Sequence, residues 1–88
     1  MDQPFEERSD FEEQVAIEDD LEMLREDLIG ELQAINQYQQ HLEDTESEEA
    51  AITLQHIIED EKEHVAELLR VIQRLDSVQA EKLKKELL

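Results

Sequence analysis

The chain has 88 residues, a formal net charge of −18, no cysteine, one glycine and one proline. This length allows one domain, and so few turn-forming residues argue against β-sandwich and βαβ folds. The charge excludes nucleic-acid and anionic-membrane binding, and no apolar run approaches the roughly 18 residues of a membrane span. We therefore expect an all-α protein that gains stability from a partner, a metal ion or both.

The N-terminal part of the chain divides into an arm and a long helix. Residues 1–17 are rich in acids and carry scattered apolar side chains, which predicts a mobile acidic arm, helical from about Phe11 onward. From about residue 18 to residue 43, apolar side chains recur with helical spacing. The heptad a positions of this predicted helix hold Leu21, Leu28, Ile35 and Leu42.

A second helix is predicted at about residues 46–75, with Thr45 and Glu48 forming a capping box at its start. Its apolar a positions hold Leu54, Leu68 and Leu75, and its apolar d positions hold Ile57 and Val71. The connection between the two helices is short, which predicts an antiparallel hairpin over residues 18–76.

The remaining residues, 77–88, are predicted to form a short C-terminal helix. Asp76 or Ser77 is expected to cap it, since both residue types are common N-caps.

Three residues of metal-ligating types interrupt the heptad pattern at one level of the hairpin. Glu31 takes a d position of the first helix, while Glu61 and His64 take an a and a d position of the second. Glu31 and Glu61 are equally far along the chain from Glu46, so an antiparallel hairpin brings them face to face inside the apolar layer. Two carboxylates in an apolar layer repel each other, and a bound cation removes that cost.

One Glu and one Glu-x-x-His on facing helices make half of the ligand set of a ferritin-like di-iron or di-manganese site. A two-fold axis through the site would double the set to four carboxylates and two imidazoles, and would complete a four-helix bundle. Carboxylate and imidazole ligands suit Fe(II) and O₂ chemistry, with Mn or Zn as possible substitutes and Glu61 as the bridge between two ions.

Two other interpretations remain open. In the first, the chain is a metal-free helical oligomerisation or interaction module in which Glu31, Glu61 and His64 specify the register. In the second, it is a rubrerythrin-like peroxidase, although the chain has no Cys₄ domain to deliver electrons.

Two segments that contain these residues together resemble a known protein family. The sequence ELQAINQY beginning at Glu31, together with EKEH beginning at Glu61, resembles the encapsulated ferritins, which are two-helix ferritin-like proteins housed in encapsulin nanocompartments. The similarity covers about residues 20–80. It implies that Glu31, Glu61 and His64 form a di-iron ferroxidase centre across a dimer interface, with Tyr38 beside it.

The resemblance also implies an assembly and a location. Members form rings, commonly of five dimers, that oxidise Fe(II) while the mineral is stored in the encapsulin shell. We therefore expect a homo-oligomer, at least a dimer and by resemblance a decamer, that partners an encapsulin shell protein in the cytoplasm.

Two further features bear on this resemblance. A secondary outer metal site of the family is matched at helical spacing by His56, Asp60 and Glu63. Family members carry acids just before and two residues after the first-helix ligand, and an aromatic residue before the Tyr. This chain departs from that pattern, because it has Gly30, Gln33 and Gln37 at those positions.

Overall fold

The computed structural model describes residues 8–87 as three helices without strands. Helix α1 spans Asp10–Asp44, α2 spans Glu48–Leu75 and α3 spans Ser77–Leu87. The predicted all-α class is therefore confirmed. Within this part of the chain, no helix combines the length and the apolar character that crossing a bilayer requires.

Helix α1 begins at Asp10, close to Phe11, from which the arm was predicted to be helical, and it continues without a break past the predicted boundary near residue 18. The Ser9 side chain accepts a hydrogen bond from the Glu12 backbone N–H at 3.1 Å. Acidic residues in the first turn also favour a helix N-terminus, because they complement the positive end of the helix dipole. Part of the predicted acidic arm is thus the first two turns of α1, while residues 1–7 of that arm lie outside the described residues.

The turn between α1 and α2 differs from the predicted capping box. Ser47, and not Thr45, caps α2: its hydroxyl accepts from the Ala50 N–H at 3.1 Å. Thr45 instead ends α1, with its N–H donated to the His41 carbonyl at 2.9 Å and its hydroxyl accepting from the Ser47 N–H at 3.2 Å. The box at Thr45 and Glu48 was wrong because a cap must directly precede the first helical residue, which is Glu48.

Asp76 forms the junction between α2 and α3. One carboxylate oxygen accepts from the Gln79 N–H at 3.0 Å and caps α3, which confirms the predicted cap. The other oxygen accepts from the Arg25 guanidinium of α1 at 2.9 Å. The hydrogen bond from Gln79, with Arg25 beside it, holds the pKa of Asp76 below its ordinary value. Asp76 therefore ties the start of α3 to α1 through a charged pair.

Helices α1 and α2 pack along each other as a hairpin, whereas α3 contacts α2 and, within the described residues, not α1. The principal dimensions of the chain are 60 × 39 × 16 Å, so the hairpin is a single layer of helices. Only three hydrophobic residues in this part of the chain are buried, Leu21, Ile58 and Ile72, and each of them keeps a few per cent of its surface exposed (6%, 5% and 3%). Most of the other apolar residues between α1 and α2 are half-buried, because a single layer of helices covers them from one side only.

The orientation of α2 differs from the predicted heptad. Ile58 and Ile72 are the most buried residues of α2, and each directly follows a residue assigned to a d position. Helix α2 is therefore turned so that these isoleucines face α1. As a consequence His64, predicted to lie inside the apolar layer, lies at the open edge of the hairpin with 48% of its side chain exposed.

Candidate metal centre

The structure brings together the three residues that interrupt the sequence pattern. Glu31 of α1 meets Glu61 and His64 of α2, and one ligand atom from each residue lies within 4.8 Å of the others. His64 Nδ1 is 3.5 Å from Glu31 Oε1 and 3.8 Å from Glu61 Oε2. These separations are longer than N–H···O hydrogen bonds, so the three groups face a common space without closing on one another.

The local sequence explains this convergence. Glu61 and His64 are three residues apart, so they project from the same side of α2 about one turn apart. Glu31 reaches the same level because the short turn at 45–47 makes the hairpin antiparallel with little offset.

The two carboxylates are largely withdrawn from solvent. The side chains of Glu31 and Glu61 are 24% and 18% exposed. Glu31 Oε2 is buried and finds no hydrogen-bond partner among residues 8–87. A buried carboxylate oxygen without a partner carries an unmet desolvation cost, which a cation would remove.

A groove at the open edge of the hairpin surrounds this group. Its floor includes the apolar side chains of Ala34, Leu68 and Val71. Its remaining lining residues, beyond the three that converge, are Glu26, Asp27, Gly30, Glu67 and Arg70. Carboxylates thus outnumber basic groups along the approach to Glu31 and Glu61, and the groove attracts cations.

Three of these lining acids were not singled out from the sequence. Asp27 lies four residues before Glu31, and Glu67 lies three residues after His64. Both spacings place a side chain next to its partner on one helix face, so helical spacing from the three interrupting residues is the signal that could have identified them.

The other predicted site residues lie apart from this group. Tyr38 is half-buried on α1, two helical turns or about 10 Å beyond Glu31, and does not line the groove. Among residues 8–87, Glu31, Glu61 and His64 make up the one group of three acidic or histidine ligands with metal-binding separations. The exposed residues His56, Asp60 and Glu63 form no such group, and the secondary metal site stays a prediction.

The donor set fits a divalent transition metal. Carboxylate oxygens are hard ligands and imidazole nitrogen is a borderline one, and iron, manganese and zinc accept this combination. Ferritin-like di-metal sites use the same Glu and Glu-x-x-His combination from facing helices. One chain brings together one Glu and one Glu-x-x-His, which is half of that residue combination.

Comparison with known proteins connects this geometry to a family. The family model described as EncFtn-like matches residues 5–88. The chain is also 42% identical over 57 residues to the encapsulin nanocompartment cargo protein EncC of Myxococcus xanthus. That match covers 65% of this chain and 44% of the relative, so the chain spans less than half of the relative's length. No solved structure matches the chain.

Proposed function

The chain belongs to the EncFtn-like family, and from that premise we propose that it is a ferroxidase whose substrates are Fe(II) and O₂. The observation that carries the proposal is the convergence of Glu31, Glu61 and His64, with ligand atoms within 4.8 Å of one another and one carboxylate oxygen buried without a partner. The match to the family model over residues 5–88 confirms the resemblance of the sequence to the encapsulated ferritins.

Each of the three residues has a role in this proposal. Glu31 and Glu61 provide negatively charged oxygens that hold the substrate ion, and Glu61 is the proposed bridge between two ions. His64 provides a nitrogen ligand, and its exposed ring lies on the side of the groove that faces solvent. Each Fe(II) loses one electron and O₂ accepts it, so two ions held close together can deliver electrons as a pair.

A second copy is proposed to complete the site. A two-fold axis beside the groove would bring four carboxylates and two imidazoles together. It would also add a second layer to a hairpin that is 16 Å thick, forming a four-helix bundle and covering its half-buried apolar residues. Dimerisation and metal binding would then stabilise each other.

The acidic groove residues would attract Fe(II) to the site before it binds. Glu26, Asp27 and Glu67 line the approach to the three ligands, and carboxylates in a cleft raise the local concentration of cations. The strongly negative chain as a whole, with a net charge of −18, acts in the same direction.

The proposed setting of this reaction is an encapsulin nanocompartment in the cytoplasm. The M. xanthus relative is described as an encapsulin cargo protein, which supports an encapsulin shell as partner of this chain. A ring of dimers, a decamer by family resemblance, would have no closed cavity of its own. Oxidised iron would therefore have to be stored in the shell.

Oxidation kinetics of purified protein test the proposal. In air, the wild type should convert Fe(II) to Fe(III) faster than buffer, and His64→Ala should lose this excess rate. Glu59→Gln is the matched control, because Glu59 is an exposed acid of α2 outside the groove. Without a shell the product should turn the solution turbid.

Three results would contradict the proposal. The first is a rate equal to that of buffer, and the second is an unchanged rate in His64→Ala. The third is faster turnover with hydrogen peroxide than with O₂, which would favour a rubrerythrin-like peroxidase.

A further inference from the structure

A second groove lies between α2 and α3, and Arg70 is the one residue that it shares with the groove at the proposed metal centre. Its walls are mostly apolar, with Leu69 from α2 and Leu83 and Leu87 from α3. Its charged lining residues are Arg70 and Lys84, and no acid lines it. In a chain with 26 acids and 8 Lys and Arg residues, an apolar groove bordered only by basic side chains is suited to an apolar segment that carries carboxylates.

The first turns of α1 have that composition. Phe11 and Val15 are 78% and 39% exposed, and they share one face of the helix with Glu12 and Asp19. Arg8, just before the helix, also borders this face and lies 3.7 Å from the carboxylate of Glu13, so acids outnumber bases there. This face is not the one that packs on α2: each of the two apolar residues lies six positions, or about 120° around the helix, from Ile17 and Leu21, respectively. Helix α2 of the same chain therefore leaves Phe11 and Val15 uncovered.

The groove and the exposed face of α1 cannot meet within one chain. Helix α1 is continuous from Asp10 to Asp44, so its first turns cannot fold back. Within the described residues α3 has no contact with α1. The occupant that fits the groove by both apolar character and charge is thus the start of α1 from another copy.

We propose that the α1 face formed by Phe11, Glu12 and Val15 docks into the α2–α3 groove of a second copy. Phe11 and Val15 fill the space between Leu69, Leu83 and Leu87, and Glu12 lies near Lys84. Every copy carries both the face and the groove. This contact therefore joins copies through a surface other than the Glu31 groove, and it does not require metal.

Reversing the charges of Lys84 and Glu12, singly and together, tests whether these two residues lie near each other in the assembly. With chelator present, Lys84→Glu should weaken assembly about tenfold, as expected for reversal of a charge beside an apolar contact. Lys85→Glu is the matched control, because this exposed neighbour does not line the groove and should leave assembly unchanged. Combining Lys84→Glu with Glu12→Lys should restore wild-type mass in native mass spectrometry. Equal effects of the Lys84 and Lys85 reversals, no effect of either, or no restoration in the double variant would overturn the proposal.

A photoreactive phenylalanine analogue at position 11 tests the location of the contact. Because Phe11 is exposed, the replacement should not disturb folding. In a mixture of isotopically labelled and unlabelled protein, irradiation should link position 11 of one copy to the region of Leu83 or Leu87 of another. Links within one chain, links to the Glu31 groove or an absence of links would overturn the proposal.

Measuring oxidation kinetics distinguishes a failure of this proposal from a failure of the proposed ferroxidase activity. Neither Phe11 nor Lys84 lines the Glu31 groove, so Phe11→Ala and Lys84→Glu should oxidise Fe(II) at the wild-type rate per chain while losing the larger assembly. Loss of oxidation together with assembly would overturn the assignment of this contact to a separate surface. A wild type that assembles as expected but oxidises no iron would instead contradict only the proposed activity.

Discussion

Replacing Glu61 by Gln separates a metal ligand from a structural residue. The substitution keeps the shape of the side chain and removes its charge. Glu31 and Glu61 offer oxygens within 4.8 Å of each other, where two negative charges repel by about 1 kcal/mol in water and about 3.5 kcal/mol at an effective dielectric constant of 20. Because the two side chains keep only 24% and 18% of their surface exposed, we expect a value between these two limits. With chelator, Glu61→Gln should therefore melt at the wild-type midpoint or a few degrees above it.

Iron should reverse this order. Fe(II) at a hundred times its dissociation constant adds about 2.7 kcal/mol to the state that binds it. For a domain of this size, that corresponds to a rise in the melting midpoint of roughly 10–20 °C. The wild type should show this rise under anaerobic conditions, whereas Glu61→Gln should show less than half of it, because it lacks one of the charged ligands.

The assay compares thermal melts followed by circular dichroism, each with chelator and with Fe(II). Glu59→Gln removes the same charge from an exposed position of α2 and should respond to iron like the wild type. If iron raises the midpoint of Glu61→Gln as much as that of the wild type, Glu61 is not a ligand. If the substitution changes stability alike with and without iron, the three residues specify register, as a metal-free module would require.

Two predictions concern the ends of helices. Arg25→Gln should lower the melting midpoint near neutral pH but not in acid. The Gln79 N–H and the Arg25 guanidinium lower the pKa of Asp76. The charged pair therefore stabilises the fold above the ordinary carboxyl pKa, and this stabilisation is lost as the pH falls through the lowered pKa. Melts of both proteins between neutral pH and about pH 2 check this, and a difference independent of pH would contradict it. Ser47→Ala should cost about 1 kcal/mol in urea unfolding, because the Ala50 N–H loses its capping partner; an unchanged urea midpoint would show that the cap contributes little.

The sequence predicts the hairpin and the level of the site because both depend on distances along the chain. Glu31 and Glu61 are equidistant from Glu46, and a short antiparallel connection brings such residues to the same level of the hairpin. The match of residue types to a ferritin-like ligand set needed no tertiary information either.

The rotation of α2 could not be predicted because neighbouring apolar residues compete for the same face. Ile57 and Ile58 are adjacent, as are Val71 and Ile72, and the apolar pattern fits either member of each pair. Packing against α1 selects Ile58 and Ile72. The exposure of His64 follows from that choice.

The Ser9 cap at the start of α1 and the link between Arg25 and Asp76 were missed for different reasons. The start depends on the Ser9 cap and on acids in the first turn, which act through polarity and not through an apolar pattern. The two charged residues are 51 positions apart. No local sequence rule connects them, and only the packed hairpin brings them within reach.

Gly30 gives the last prediction, because nothing inside one chain requires a glycine there. It lies in the interior of α1, its φ is not positive, and beyond the adjoining backbone of α1 an added Cβ would meet no atom of residues 8–87 within 4 Å. Gly→Ala at such a position stabilises a helix by about 0.4–1 kcal/mol. Urea unfolding with chelator should therefore show Gly30→Ala to be more stable by this amount. Gly30 also lines the groove with Glu31, so a less stable variant would contradict the prediction and indicate that another copy of the chain approaches the α1 backbone closely at Gly30.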